Sequence, residues 1–297
     1  MKYLEKHPMI MIIIGIMGIS MSAIFVRYSD APSVVTASYR LLWTVLLMTP
    51  VVLVQKQFRT ELRAVSGKTI GFCFVSGFFL AIHFSVWFES LRFTSVASST
   101  TIVCTEVIWV SIGFCLFMKG KLSGKAVATI AVTFLGSVLI AFSDSGTGGN
   151  LYGDILSLLA AIAVAVYTLI GRQVRANTST TVYTYLVYIA SAITLVIITV
   201  MQGESLMIQE AGDYKAVIVG LLLSVFSTIL GHSIFSWCLK FFSPSFVSAS
   251  KLCEPVVAAI LAIFLFGEIP GLLQILGGAV ILGGVYAYSK IEQKEHM

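Results

Sequence analysis

The chain has 297 residues, 58% of them hydrophobic and 11% charged, with a formal net charge of +5. Soluble domains carry about 25% charged residues, so a water-facing surface cannot be built from this composition and the class is integral membrane protein. The basic residues lie scattered between apolar runs, which argues against a nucleic-acid partner and makes them topology signals.

A transmembrane helix needs about 20 mostly apolar residues. Ten segments qualify: 8–26, 34–54, 69–91, 95–118, 124–142, 152–171, 181–201, 216–239, 244–266 and 271–289. The first has some signal-peptide character, with Lys2 and Lys6 before it and the small-residue stretch 20–23 near its end; the repeat described below requires it as a helix. The connections are short, and none could hold a folded soluble domain. With the N-terminus in the cytoplasm, fourteen of the nineteen Lys and Arg fall on the cytoplasmic side. Arg27, Arg92 and Lys215 fall outside, and Arg40 and Lys251 lie within spans. The positive-inside rule therefore places both termini in the cytoplasm of a cell whose cytoplasmic membrane holds the chain. The glycines at 15, 18, 277, 278, 283 and 284 are expected to allow close helix contacts.

The five cysteines sit in apolar runs without CxxC spacing, so neither a disulfide framework nor a metal site is expected. No HExxH or Gly-x-Ser-x-Gly motif is present, no cofactor is implied, and a catalytic site has no support.

Residues 90–106, SLRFTSVASSTTIVCTE, resemble residues 238–254, CLKFFSPSFVSASKLCE. Leu91 falls opposite Leu239, Arg92 opposite Lys240 and Glu106 opposite Glu254, at a constant spacing of 148. The expected organisation is a five-helix repeat over 1–143, a glycine-rich linker at 144–151 and a second five-helix repeat over 152–297. Five is odd, so the second copy enters the membrane from the opposite side. That is the inverted repeat used by many secondary transporters.

Ten spans, two five-helix halves, the stretch 91–99, and Cys253-Glu254-Pro255 followed by Leu265-Phe266-Gly267-Glu268 resemble the EamA-type branch of the drug/metabolite transporter superfamily. The first half departs from the pattern: Val107 follows Glu106, and the Gly-Glu position reads Gly120-Lys121. The resemblance implies carriage of small metabolites, commonly export of amino acids or related compounds.

The candidate site is built from polar residues inside the spans, where each charge needs a partner or a wet cavity. Lys251 and Glu254 are three residues apart and are expected to pair on one helix face. Pro255 lacks an N–H, so the Lys251 carbonyl is expected to lose its helical partner; the result is a slightly broken, interior-facing helix. The alternative is a self-neutralised pair that only locks packing. Glu106 and Glu254 each lie about 15 Å into their spans, near the midplane. Arg40 is expected either to bind an anion or to pair with Glu106. His83 and His232, in the third helix of each half, are candidate proton carriers or hydrogen-bonded packing residues. Trp87 and Trp109 are expected to wall the cavity, Trp109 because it follows Glu106 by three residues. Glu106, with no charged neighbour on its own helix, is the first expectation for a proton-binding group, and His83 the second.

Together these readings indicate a secondary transporter for a small metabolite, an amino acid or related amphiphile, working by alternating access. The partners expected are the substrate, the bilayer and protons, with the chain as monomer or homodimer and no nucleic acid. The rival readings are a carrier of phosphorylated or nucleotide-linked sugars, and a membrane-embedded enzyme or lipid-handling protein.

Overall fold

The computed structural model describes residues 7–94, 96–143, 151–207, 213–266 and 271–295. The linker expected at 144–151 and the Gly267-Glu268 pair fall largely outside the described residues. Among those described, the protein is all helix: eight helices are long and apolar enough to cross a membrane, and a ninth apolar stretch, Gly124–Leu139, is shorter. Leu46, Leu116 and Phe264 are among many large apolar side chains left exposed on the outside, as expected where lipid rather than water is the solvent.

The first half runs α1 (Pro8–Ser20), α2 (Ser22–Arg27), α3 (Ser33–Val54), α4 (Lys56–Ala64), α5 (Gly67–Ser90), α6 (Val96–Val103), α7 (Glu106–Phe117) and α8 (Gly124–Ser143). The second runs α9 (Leu151–Arg175), α10 (Thr180–Met201), α11 (Asp213–Leu222), a π-helical segment (Leu223–His232), α12 (Ser233–Cys238), α13 (Pro244–Ser250), a 3₁₀ turn (Lys251–Cys253), α14 (Glu254–Phe266) and α15 (Leu272–Glu295). Local chemistry sets several starts. Ser66, Ser179 and Ser243 each accept a backbone N–H with their hydroxyl as N-caps. Pro8 and Pro244 open their helices where no N–H is needed. Helix α4 was not expected. It is short, polar and has no buried residue, so a search for long apolar runs passes over it.

The packing between halves is symmetric. Helix α3 packs on α10, α7 on α13 and α8 on α15. Other contacts come in matched pairs: α1 on the π-helical segment and α5 on α9; α7 on α9 and α1 on α14; α3 on α11 and α5 on α10. In each of these pairs the contact recurs with the roles of the halves exchanged. At the contact of α1 with the π-helical segment, a Cβ on Gly18 would lie 2.7 Å from the Phe226 carbonyl oxygen, so only glycine permits this approach. Gly283, by contrast, faces open space and makes no such contact.

Among the described residues four spans are interrupted, the first at Met21 between α1 and α2. The expected break before Pro255 is present, but its consequence differs from expectation. The chain tightens to a 3₁₀ turn, and the Glu254 N–H takes the Lys251 carbonyl, so that oxygen is satisfied rather than freed. The first half breaks at the equivalent place without a proline. There the Thr105 hydroxyl donates back to the Ile102 carbonyl at 2.7 Å, a competition for backbone acceptors that bends helices. In the π-helical segment, Thr228 and Ser233 hydroxyls donate five residues back, to Leu223 and Thr228 carbonyls.

Candidate functional site

The two breaks bring α7 and α14 to begin at Glu106 and Glu254, beside a cavity of about 50 Å³. Its walls include Arg40, His83, Trp87, Thr100, Val103, Glu106, Ser227, His232, Lys251 and Glu254. Seven of the eight residues expected from sequence therefore meet at one place. Trp109 does not. It is 37% exposed and absent from the cavity wall. Three residues along an α-helix turn about 300°, which leaves Trp109 about 60° from the Glu106 direction, and that offset carries the indole outward.

The expected Lys251–Glu254 pair is not formed. Lys251 reaches across to Glu106 instead, with Nζ 2.8 Å from Oε1 and 3.1 Å from Oε2. The same Oε1 accepts hydrogen bonds from the Thr168 hydroxyl at 3.1 Å and the Ser248 hydroxyl at 2.9 Å. Both charged groups are nearly buried, at 11% and 7% side-chain exposure. Three donors on one carboxylate explain the choice of partner: a desolvated ion pair holds only where further hydrogen bonds fill its lone pairs. This geometry also corrects the reading of Glu106 as the partner of Arg40.

Arg40 lies inside the protein, 1% exposed. Its Nε donates to the Thr228 hydroxyl at 2.7 Å, and one terminal nitrogen to the Ser22 hydroxyl at 3.3 Å. The guanidinium stacks 3.9 Å above the Phe84 ring, a cation–π contact in place of a counter-ion. Among the described residues it forms no ion pair. The Glu254 carboxylate likewise forms neither an ion pair nor a hydrogen bond among the described residues. Its backbone oxygen alone is touched, by the Ser20 hydroxyl at 3.5 Å. The cavity thus holds one satisfied ion pair, one cation and one carboxylate.

His83 Nδ1 lies 3.0 Å from the Ala160 carbonyl oxygen. A carbonyl only accepts, so Nδ1 is the donor and Nε2 of the neutral ring is left as an acceptor. The imidazole stacks on Trp87 with centroids 5.9 Å apart and meets His232 edge-on at 6.3 Å. Trp87 Nε1, Thr100 Oγ1 and Ser227 Oγ are buried with no hydrogen-bond partner, and all three residues line the cavity. Buried polar groups normally find partners, so these three are exceptions that share one cavity. Thr100 and Ser227 were missed from sequence because a hydroxyl within an apolar helix gives no signal by itself. Glu89 and Arg92 pair at 3.7 Å near a helix end, away from the cavity.

Polar bonds cluster at one end of the bundle. Arg172 donates to the Leu239 and Phe242 carbonyls, and Arg175 to the Ser236 and Thr178 carbonyls. Glu292 accepts from the backbone and hydroxyl of Ser243. At the other end a vestibule of about 270 Å³ opens between Val26, Asp30, Phe88, Arg92 and Thr94. Phe88 lines this vestibule, and its ring lies 6.0 Å from the Arg40 guanidinium.

Residues 151–290 match the EamA-like transporter family. The chain is 27% identical over 290 residues to the uncharacterized transporter YxxF of Bacillus subtilis (strain 168), covering 94% of this chain and 87% of that protein. It is 24% identical to an uncharacterized transporter of Clostridium kluyveri over 79% of this chain and 77% of that one. It is 26% identical to a protein of Escherichia coli (strain K12) named "Probable amino-acid metabolite efflux pump", over 69% and 71% of the two chains. A solved structure titled only "Crystal structure of protein" superposes with a TM-score of 0.78 at 14% identity, over 98% of this chain and 99% of that one. That last likeness speaks to the fold alone; the helices and the transporter relatives make the chain a multi-pass membrane protein, and its residues 151–290 are similar to the EamA-like transporter family.

Proposed function

We propose that the protein is a secondary transporter that carries a small zwitterionic metabolite, an amino acid or related amphiphile, out of the cell by alternating access. The observation that carries this reading is the presence of Arg40 and Glu254 in the wall of one buried cavity, each without an ion pair among the described residues. An intramembrane charge is costly by about 2.5–3.5 kcal/mol on insertion scales. A cargo with one carboxylate and one ammonium would neutralise both and leave the site's net charge unchanged. A carrier of phosphorylated sugars would need several free cations, and Lys251 is already committed to Glu106. The printed name of the Escherichia coli relative points the same way.

The symmetric helix contacts support two inverted five-helix halves, 1–143 and 152–297, rocking about the cavity. The polar-bonded end and the vestibule at the other correspond to one state of that cycle. The cavity's 50 Å³ is well below the roughly 300 Å³ of a ligand pocket, so cargo enters only as Phe88 and its neighbours part. The positive-inside bias supports cytoplasmic termini in the cytoplasmic membrane, with the arginine-rich end facing inward. Protons are the proposed energy source, with Glu254 rather than Glu106 as the group that binds one when the cargo has left. Counterflow in proteoliposomes with a panel of amino acids tests the reading: accumulation of at least one labelled amino acid against its unlabelled pool is expected, and no exchange of any of them would refute it.

A further inference from the structure

The two halves carry the same carboxylate cage, and only one is complete. The cage around Glu106 consists of Ser248 and Lys251 on α13 and the following turn, with Thr168 on α9. The repeat spacing of 148 that relates Glu106 to Glu254 relates Ser248 to Thr100, Thr168 to Ser20 and Lys251 to Val103. Hydroxyl residues are thus retained at both hydroxyl positions around Glu254, while the lysine position holds valine. The contacts follow the substitution. Thr100 is 8% exposed, its hydroxyl has no partner, and it lines the cavity together with Val103 and Glu254. Ser20 touches the Glu254 backbone oxygen. The Glu106 cage supplies its own ammonium group; the Glu254 cage has the acceptors and lacks the ammonium.

We infer that Glu254 and Thr100 form a binding half-site for a primary ammonium group of the cargo, which takes the place that Lys251 Nζ occupies beside Glu106, and that Val103 keeps this place empty. The inference rests on the transport reading for the identity of the occupant as cargo. An ammonium suits the place because it brings up to three donors to acceptors that are short of them, as Lys251 does at distances of 2.8 and 3.1 Å on its own carboxylate. Charge balance then places an anionic group of the same cargo toward Arg40. Specificity follows from the unmade bonds: a site whose buried polar groups need an ammonium rejects analogues that lack one.

The test uses the purified full chain in detergent, with thermal stability as readout and L-leucine, 3-methylbutylamine and 4-methylpentanoate as probes at equal ionic strength. These share an alkyl chain and differ in whether ammonium, carboxylate or both are present. L-leucine should raise the midpoint of the wild type by about 3 °C or more at saturation, 3-methylbutylamine by less, and 4-methylpentanoate and added sodium chloride by nothing. Val103→Lys should raise the midpoint without any probe and abolish the response to L-leucine. Adding Glu254→Gln to Val103→Lys should remove that gain. Should Val103→Lys fail to fold, Thr100→Val carries the test, with an expected loss of about tenfold in apparent L-leucine affinity.

The inference is overturned if no ammonium probe shifts the wild type, if 4-methylpentanoate or sodium shifts it as far as L-leucine, or if the gain from Val103→Lys survives Glu254→Gln. L-leucine binding that obeys these rules without counterflow in proteoliposomes would sustain the half-site and sink the transport reading, so the two fail separately.

Discussion

Lys251 donates to both carboxylate oxygens of Glu106, a residue 145 positions earlier in the chain, and does not pair with Glu254 three positions later. The bond ties the first half of the bundle to the second at its centre. It also leaves Glu106 ion-paired and Glu254 without an ion pair among the described residues.

Glu106→Gln should therefore act chiefly on stability. It leaves Lys251 charged and buried without its partner, a loss of about 3–5 kcal/mol for broken buried pairs. Glu254→Gln removes no ion pair among the described residues and should cost far less. Denaturation midpoints of the two variants in the same detergent check this, and equal losses would contradict it.

Arg40 offers a sharper contrast. Arg40→Lys keeps the charge but loses the planar fork that bonds Thr228 and Ser22 while stacking on Phe84. Transport should fall by about tenfold or more, since one charged hydrogen bond is worth about 1.5–3 kcal/mol, while the variant still reconstitutes. Initial counterflow rates normalised to reconstituted protein provide the measurement.

Trp87 carries a buried Nε1–H with no partner. Trp87→Phe removes an orphaned donor from the resting state, so thermal stability should hold or rise slightly. Apparent substrate affinity should fall if the cargo accepts that hydrogen bond. Affinity unchanged in a stable variant would assign Trp87 to packing against His83.

The topology prediction comes from charge alone. A reporter fused after residue 297 that is active only outside the cytoplasm should be silent, and one placed between the first two spans should be active. Activity of the C-terminal fusion would reverse the orientation.

Much of this arrangement was legible in the chain itself. The all-helical membrane class follows from apolar run length, and most of the residues that line the cavity follow from the rarity of charges in membrane helices. What could not be read was which residue meets which. The Lys251–Glu254 expectation rested on neighbours along one helix, but a long lysine side chain reaches a carboxylate on another element when hydroxyls there complete its shell. Trp109 was misplaced by treating a three-residue step as the same face. The cage at Glu254 became visible only when Thr168 and Ser248 were seen on Glu106, because a serine or threonine in an apolar run carries no mark of its partner. The π-helical segment, which brings Ser227, Thr228 and His232 to the cavity and to Arg40, likewise has no periodicity that sequence reveals.

The central claim is that Arg40 and Glu254 together select a cargo bearing both charges. The thermal stability of purified Glu254→Gln in detergent tests it most directly, with L-leucine and 4-methylpentanoate as ligands. Removing the carboxylate leaves two cations against one anion in the cavity, so the account predicts that the variant loses stabilisation by L-leucine and gains stabilisation by 4-methylpentanoate. A Glu254→Gln protein that keeps the wild-type order of preference would contradict it.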